Sequence, residues 1–221
     1  MVEPFASRRE AGSALAEALS RLDLPQGALL LALPRGGVPV AAEIARELDL
    51  PLDVFIVRKL GAPGQPELAI GAIASGGVRV LNPDLVASFG LAPGEVDRIA
   101  RSELAELERR ETAYREGRPA PAVAGRTVIL VDDGLATGAT MKAAIEAVRQ
   151  LGAGPIIVAV PVAAPETLDE FAREFPGVTL VVLRTPDPFY AVGLWYRSFP
   201  PVSDEEVRAL LREAAARRAA S

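Results

Sequence analysis

Apolar positions along the chain fall into two alternating spacings. Over residues 6–22, Ala14, Leu15, Ala18, Leu19 and Leu22 recur at intervals of three and four, which lines them up on one stripe of a helix. Pro25-Gln26-Gly27 ends that segment. Residues 28–33 then form an unbroken apolar run, too short for a helix and suited to a strand buried on both faces. Pro34-Arg35-Gly36-Gly37 stands at its carboxyl end. Helical spacing returns over 38–48, and 52–57 is a second apolar run with β-branched residues. Residues 61–83, crowded with glycine and proline, predict a loop-rich hairpin excursion that includes a turn at Gly71-Ala72-Ile73. A charged helix with Val96, Ile99, Leu104 and Leu107 on one side follows over 95–116, closed by Pro119, Pro121 and Gly125.

A second strand-loop-helix-strand block begins at 127–131, continues with a helix over 139–151 and a strand over 156–160. A helix over 166–175, a strand over 178–183 and an alanine-rich helix over 203–220 complete the pattern. Strands that alternate with helices predict an α/β fold with a mostly parallel, Rossmann-like sheet flanked by helices, because parallel neighbours need crossover connections. Ligands of such folds sit beyond the carboxyl ends of the strands. The loops at Arg35 and at Asp133 both occupy that position. At 221 residues the chain is expected to form one domain, with a core over 27–183, an insertion over 61–118, and a small hood built from the N-terminal helix and 184–221.

Composition narrows the chemistry. The chain has no cysteine and no histidine, which removes disulfides, thiolate metal sites, cysteine nucleophiles and the usual general base. Carboxylates, hydroxyls, arginines and the two lysines, Lys59 and Lys142, remain, and a hard cation on oxygen ligands is still possible. A net charge of −5 argues against a nucleic-acid partner, which requires a basic excess on one face. No apolar run approaches the ~18–20 residues of a membrane span, and residues 1–5 lack the apolar segment of a secretion signal, so a cytoplasmic location is expected.

The strongest signal is Val131-Asp132-Asp133-Gly134-Leu135-Ala136-Thr137-Gly138-Ala139-Thr140. Amides at the start of the following helix are unpaired and carry positive partial charge, so they suit a phosphate, and Gly138 allows close approach. Thr137 and Thr140 hydroxyls can donate to the same oxygens. Two adjacent carboxylates can accept from a vicinal diol and help to hold a divalent cation. Phosphate, diol and metal together describe a ribose phosphate. No Walker loop and no Gly-x-Gly-x-x-Gly fingerprint occurs.

This segment resembles the motif with which type I phosphoribosyltransferases bind 5-phosphoribosyl-1-pyrophosphate (PRPP): an apolar strand, an acid pair, two variable residues and a small-residue phosphate loop. The resemblance implies transfer of the phosphoribosyl group from Mg²⁺-PRPP to a nitrogenous base, a nucleobase by family habit, with loss of pyrophosphate. It gives Asp132 and Asp133 the ribose hydroxyls and a share of Mg²⁺, and residues 136–140 the 5′-phosphate. Arg35-Gly36-Gly37 resembles the family's pyrophosphate loop, and Arg58 and Lys59, at a strand end, stand where members place further pyrophosphate contacts. Catalytic weight thus falls on Arg35, Lys59, Asp132 and Asp133. The 61–77 stretch, with Gln65 and Glu67, corresponds to a cover over PRPP. Phe189, Trp195 and Tyr196, among the chain's few aromatics, are candidates for stacking the acceptor base.

Two features of the motifs disagree about the acceptor. Hypoxanthine-guanine members usually carry an acid where this chain has Ala136, and adenine members resemble it in Ala-Thr-Gly, whereas the Arg-Gly-Gly loop is closer to guanine-xanthine members. No base is named on that footing. A non-catalytic PRPP sensor of the same fold and an oligomerisation module with a vestigial loop are the alternatives, and a homo-oligomer is left open.

Overall fold

The computed structural model describes residues 3–220, the side chains of Pro66 and Glu67 excepted, so the Glu67 part of the cover expectation lies outside the described residues. Five parallel strands form the central sheet: β1 (Leu29–Ala32), β2 (Leu52–Val54), β6 (Val128–Val131), β7 (Ile156–Val162) and β8 (Val178–Arg184), in spatial order β2-β1-β6-β7-β8. Adjacent residues of one strand enter opposite cores. Leu30 and Ile129 join one apolar cluster with Leu15, Ile44, Leu107 and Leu211, while Leu29, Leu31 and Leu130 join another with Met141, Ile145 and Phe171. Two buried faces on a period-two chain are what turn β1 and β6 into unbroken apolar runs.

Helices cover both faces: α1 (Arg8–Leu19), α2 (Gly37–Leu48), α4 (Pro93–Arg115) and α7 (Asp204–Ala220) on one side, α5 (Ala139–Gln150) and α6 (Pro165–Glu174) on the other. Local chemistry sets their starts. Ser7 caps α1 by accepting from the Glu10 amide at 3.4 Å, and prolines occupy the first turns of α4 and α6, where no amide partner is lost. A short helix not expected from the sequence, α3 (Pro83–Ser88), is capped by Asn82, which accepts from the Leu85 amide at 3.1 Å. Among the described residues no helix is long and apolar enough to cross a membrane.

The excursion after β2 differs from the sequence expectation. It is a three-stranded antiparallel sheet of β3 (Val57–Ala62), β4 (Gln65–Ala74) and β5 (Val78–Leu81), and the apolar run over 52–57 breaks at Phe55-Ile56 to feed it. Leu60, Ile70 and Ile73 are fully buried in the core they share with α4. Gly71-Ala72-Ile73 lies within β4, paired with β5, and is not a turn. Gly71 is glycine for want of space: a Cβ there would run into the Val80 carbonyl. The real reversal is at Pro63-Gly64, with Gly64 at φ 75°, a conformation glycine adopts without steric cost.

Chain order fixes where a ligand can bind. From β1 the chain moves outward to β2, makes the antiparallel excursion, and returns to β6 on the other side of β1. Strand order therefore reverses between β1 and β6, and a crevice opens at their carboxyl ends.

Candidate active site at the junction of the first and sixth strands

Both loops singled out in the sequence leave the sheet at this reversal. Leu33, next after β1, donates its amide to the Val131 carbonyl at 2.8 Å, so the two exits begin side by side. The Pro34-Arg35 peptide is cis. Gly36 lies against the Asp133 carboxylate and Gly37 against the Val131 and Asp132 backbone; a Cβ at either would overlap those atoms. Two consecutive glycines thus allow the Arg35 loop and the acid loop to share one crevice. Arg35 itself is exposed, with its guanidinium 3.8 Å from Asp204, which also accepts from the Tyr114 hydroxyl at 2.7 Å.

The acid pair is half-buried and structured. Asp132 accepts the Asp133 amide at 2.8 Å, and Asp133 accepts from Arg8 Nε at 2.9 Å. Burial pushes both carboxyls above the usual carboxylate range; the neighbouring Asp133 charge pushes Asp132 further up, and Arg8 opposes the rise at Asp133. The Tyr196 hydroxyl donates to the Asp133 carbonyl at 2.6 Å. Gly134 lies directly under Val192, so the hood touches the loop there as well.

Beyond the acids the loop turns into α5. Leu135 is an anchor: it is buried, donates its amide to the Val162 carbonyl at 2.9 Å and accepts the Ala164 amide at 3.0 Å. Ala136, Thr137, Ala139 and Thr140 are exposed, and Gly138 takes φ 68° against the Phe171 ring. Thr167 of α6 donates its hydroxyl to the Ala136 carbonyl, bracing the bend. The first bond from α5 back to this turn runs from the Lys142 amide to the Gly138 carbonyl at 2.8 Å. Amides of the first turn therefore precede the helical ladder and face the loop mouth, a ready anion site.

Arg58 and Lys59 do not enter one cleft. Successive side chains of a strand point to opposite faces, so Arg58 turns to Glu103 of α4 at 2.6 Å while Lys59 points the other way. Lys59 lines a cavity of about 540 Å³ between the antiparallel sheet and α5, together with Thr140, Lys142 and Phe175. It thus approaches the crevice at the start of α5, not at the Arg35 loop.

The aromatic segment forms the hood's own small core with Phe5, Ala11 and Val162. Tyr196 is 5% exposed, stacked on Phe199 at 5.0 Å, and its hydroxyl is taken by Asp133; Phe189 and Trp195 are half-buried beside it. Tyr190 and Leu194, which the sequence reading did not single out, are the outward-facing residues, 79% and 63% exposed. Arg8 was also missed. Its signal was a cation in the first turn of a helix, where the dipole disfavours one.

Metal chemistry has a limited donor set. Among the described residues no three acidic side chains converge on one point, so Asp132 and Asp133 could supply at most part of a Mg²⁺ shell. Such a pair fits a cation that arrives on a polyphosphate and keeps phosphate and water ligands.

The crevice thus sets the exposed start of α5, after β6, beside an arginine-glycine loop after β1. The chain belongs to the phosphoribosyl transferase domain family, whose match covers residues 14–171. It is 47% identical over 210 residues to a Mycobacterium tuberculosis protein named as a phosphoribosyl transferase, covering 95% of this chain and 47% of the relative. The chain thus spans about half the length of the curated relatives it matches first. It is 31% identical over 168 residues to a uracil phosphoribosyltransferase of Lactobacillus delbrueckii subsp. bulgaricus, covering 73% of this chain and 76% of that one. The crystal structure of TT1426 from Thermus thermophilus superposes with a TM-score of 0.83 at 46% identity, covering 95% of this chain and 98% of that one.

Proposed function

We propose that this chain binds Mg²⁺-PRPP across the β1/β6 crevice and transfers the phosphoribosyl group to a nitrogenous base, a nucleobase, with release of pyrophosphate. The observation that carries the reading is the side-by-side placement of Gly36-Gly37 against Asp132-Asp133, which supports one crevice receiving both the pyrophosphate and the ribose phosphate of a single substrate. The whole of 3–220 acts as one unit in this reading, with α1 and the segment after β8 as the hood.

Each group has a task that its chemistry suits. First-turn amides of α5 with Thr137 and Thr140 hold the 5′-phosphate, and Lys59 adds charge at that end. Asp132 and Asp133, as carboxylates, accept from the ribose hydroxyls and meet the metal that the substrate brings. Arg35 and the Gly36 amide receive pyrophosphate, whereas the Gly37 amide, expected from the sequence to join them, donates to the Leu33 carbonyl at 3.1 Å and serves the turn instead. The acceptor nitrogen forms its bond to the anomeric carbon as the bond from that carbon to the pyrophosphate oxygen breaks, and the electron pair leaves with that oxygen. The sugar passes through an oxocarbenium-like state, so the protein contributes positioning and charge stabilisation of the leaving group. No covalent nucleophile is required, which accords with a chain without cysteine or histidine.

The test is titration calorimetry with PRPP, with and without Mg²⁺, followed by pyrophosphate release over a panel of bases. Uracil comes first because a relative is named for it. Mg²⁺-dependent binding with release for one base is expected. Binding without release for any base would make the chain a PRPP sensor, and no binding would sink the reading. Changing Asp132 and Asp133 together to Asn should abolish PRPP binding in a protein that still folds; unchanged affinity would remove the acid pair from the site.

A further inference from the structure

Arg8 opens α1, where a cation opposes the helix dipole, so its place needs another cause. The residue is 8% exposed, and three partners fix its guanidinium. Nε donates to Asp133 Oδ2 at 2.9 Å, a terminal nitrogen donates to the Pro200 carbonyl at 2.8 Å, and the plane lies 3.7 Å from the centre of the Phe199 ring. Phe199 stacks on Tyr196, whose hydroxyl takes the Asp133 carbonyl at 2.6 Å. One residue of the acid pair is therefore gripped twice by the hood, at its carboxylate by Arg8 and at its backbone by Tyr196. The two terminal segments are themselves tied: the Phe5 amide donates to the Trp195 carbonyl at 2.8 Å, and the Arg197 amide to the Phe5 carbonyl at 2.7 Å. A planar guanidinium held on a ring and on a carbonyl sets the direction of its remaining donors, which a lysine ammonium on a flexible stem does not.

We propose that Arg8 is a positioning residue that holds the Asp133 carboxylate for the ribose hydroxyls and so makes the site select ribose over 2-deoxyribose phosphates. The proposal rests on the PRPP reading above. A carboxylate rewards a hydroxyl only when its oxygen is already aimed, and without Arg8 the Asp133 side chain is free to turn. The vicinal diol loses its acceptor geometry in that case, whereas the phosphate loop, built by α5 and α6, is untouched.

The experiment compares ribose 5-phosphate with 2-deoxyribose 5-phosphate by titration calorimetry on the wild-type chain, R8Q and R8K, with thermal unfolding recorded in parallel. The wild type should favour the ribose compound by about tenfold or more, the size of a lost hydrogen bond to a charged acceptor. In R8Q that preference should fall toward unity with the deoxy affinity unchanged, and R8K should restore part of it. Equal weakening of both compounds, or an intact preference, would overturn the proposal and leave Arg8 a merely structural tie. If R8Q does not fold, R8K decides: a preference below that of the wild type with the deoxy affinity unchanged is expected, and an intact preference or equal weakening of both compounds overturns the proposal. A wild type that binds PRPP with no ribose preference overturns this proposal alone, and one that binds neither PRPP nor sugar phosphates takes the parent reading down with it.

Discussion

Gly36 and Gly37 are neighbours in sequence with different tasks, because the atoms they make room for differ in freedom. A Cβ on Gly36 would meet the Asp133 carboxylate, the movable end of a side chain; a Cβ on Gly37 would meet the Val131 carbonyl and the Asp132 Cα, which are backbone. G36A should therefore push Asp133 off its contact with Arg8 and weaken Mg²⁺-PRPP binding by about tenfold or more. G37A has no side chain to displace and should lose stability by about 1–3 kcal/mol, the usual cost of overpacking. Calorimetric affinity set beside chemical denaturation separates the two, and identical behaviour in both assays would refute the distinction. At residue scale the candidate loop was visible in the sequence, since an acid pair and a small-residue loop are contiguous and need no partner to be noticed. Arg8 escaped notice because its partner is Asp133, 125 positions away, and only the packed hood brings the two together.

At the scale of elements, what was legible depended on whether the pattern had one cause. Runs such as 128–131 are apolar because both faces are buried, and helices such as α2 show a stripe because one face is, so both were read from spacing alone. The loop-rich hairpin expected over 61–83 is instead a three-stranded sheet over 57–81, because not all of its glycines turn the chain: Gly71 is there for close strand approach, and within the sheet only Gly64, Gly76 and Gly77 adopt positive φ. The same period-two geometry divides Arg58 from Lys59, although they had been read as a pair. K59A should weaken Mg²⁺-PRPP binding, because Lys59 lines the cavity that reaches Thr140. R58A should leave binding alone and cost at most about 1 kcal/mol, because its partly exposed pair with Glu103 is screened by solvent. A loss of affinity in R58A equal to that in K59A would return both cations to one cleft.

For the whole molecule, the question is how the edge strand β2 is tied to the long helix that carries the excursion back to the core. Asp53 of β2 meets Arg115 of α4 at 2.9 Å, both nearly buried, and Glu111 stands 3.2 Å from the same guanidinium. Opposed effects act on Asp53: burial raises its pKa, while Arg115, the Val54 amide and Arg118 lower it. Burial is the larger, so the folded-state value lies above the ordinary 3.8. An acid whose folded pKa is raised holds its proton more tightly when folded, so its contribution to stability is full below the unfolded value and is lost as pH rises through the folded one. The wild type should therefore lose stability relative to D53N as pH climbs from about 4 through the raised value, because asparagine does not titrate. Denaturation of both proteins across that window measures the difference directly. If the wild type instead gains on D53N with rising pH, the ion pair outweighs the burial of its charges, and this contact is a net electrostatic stabiliser of the fold.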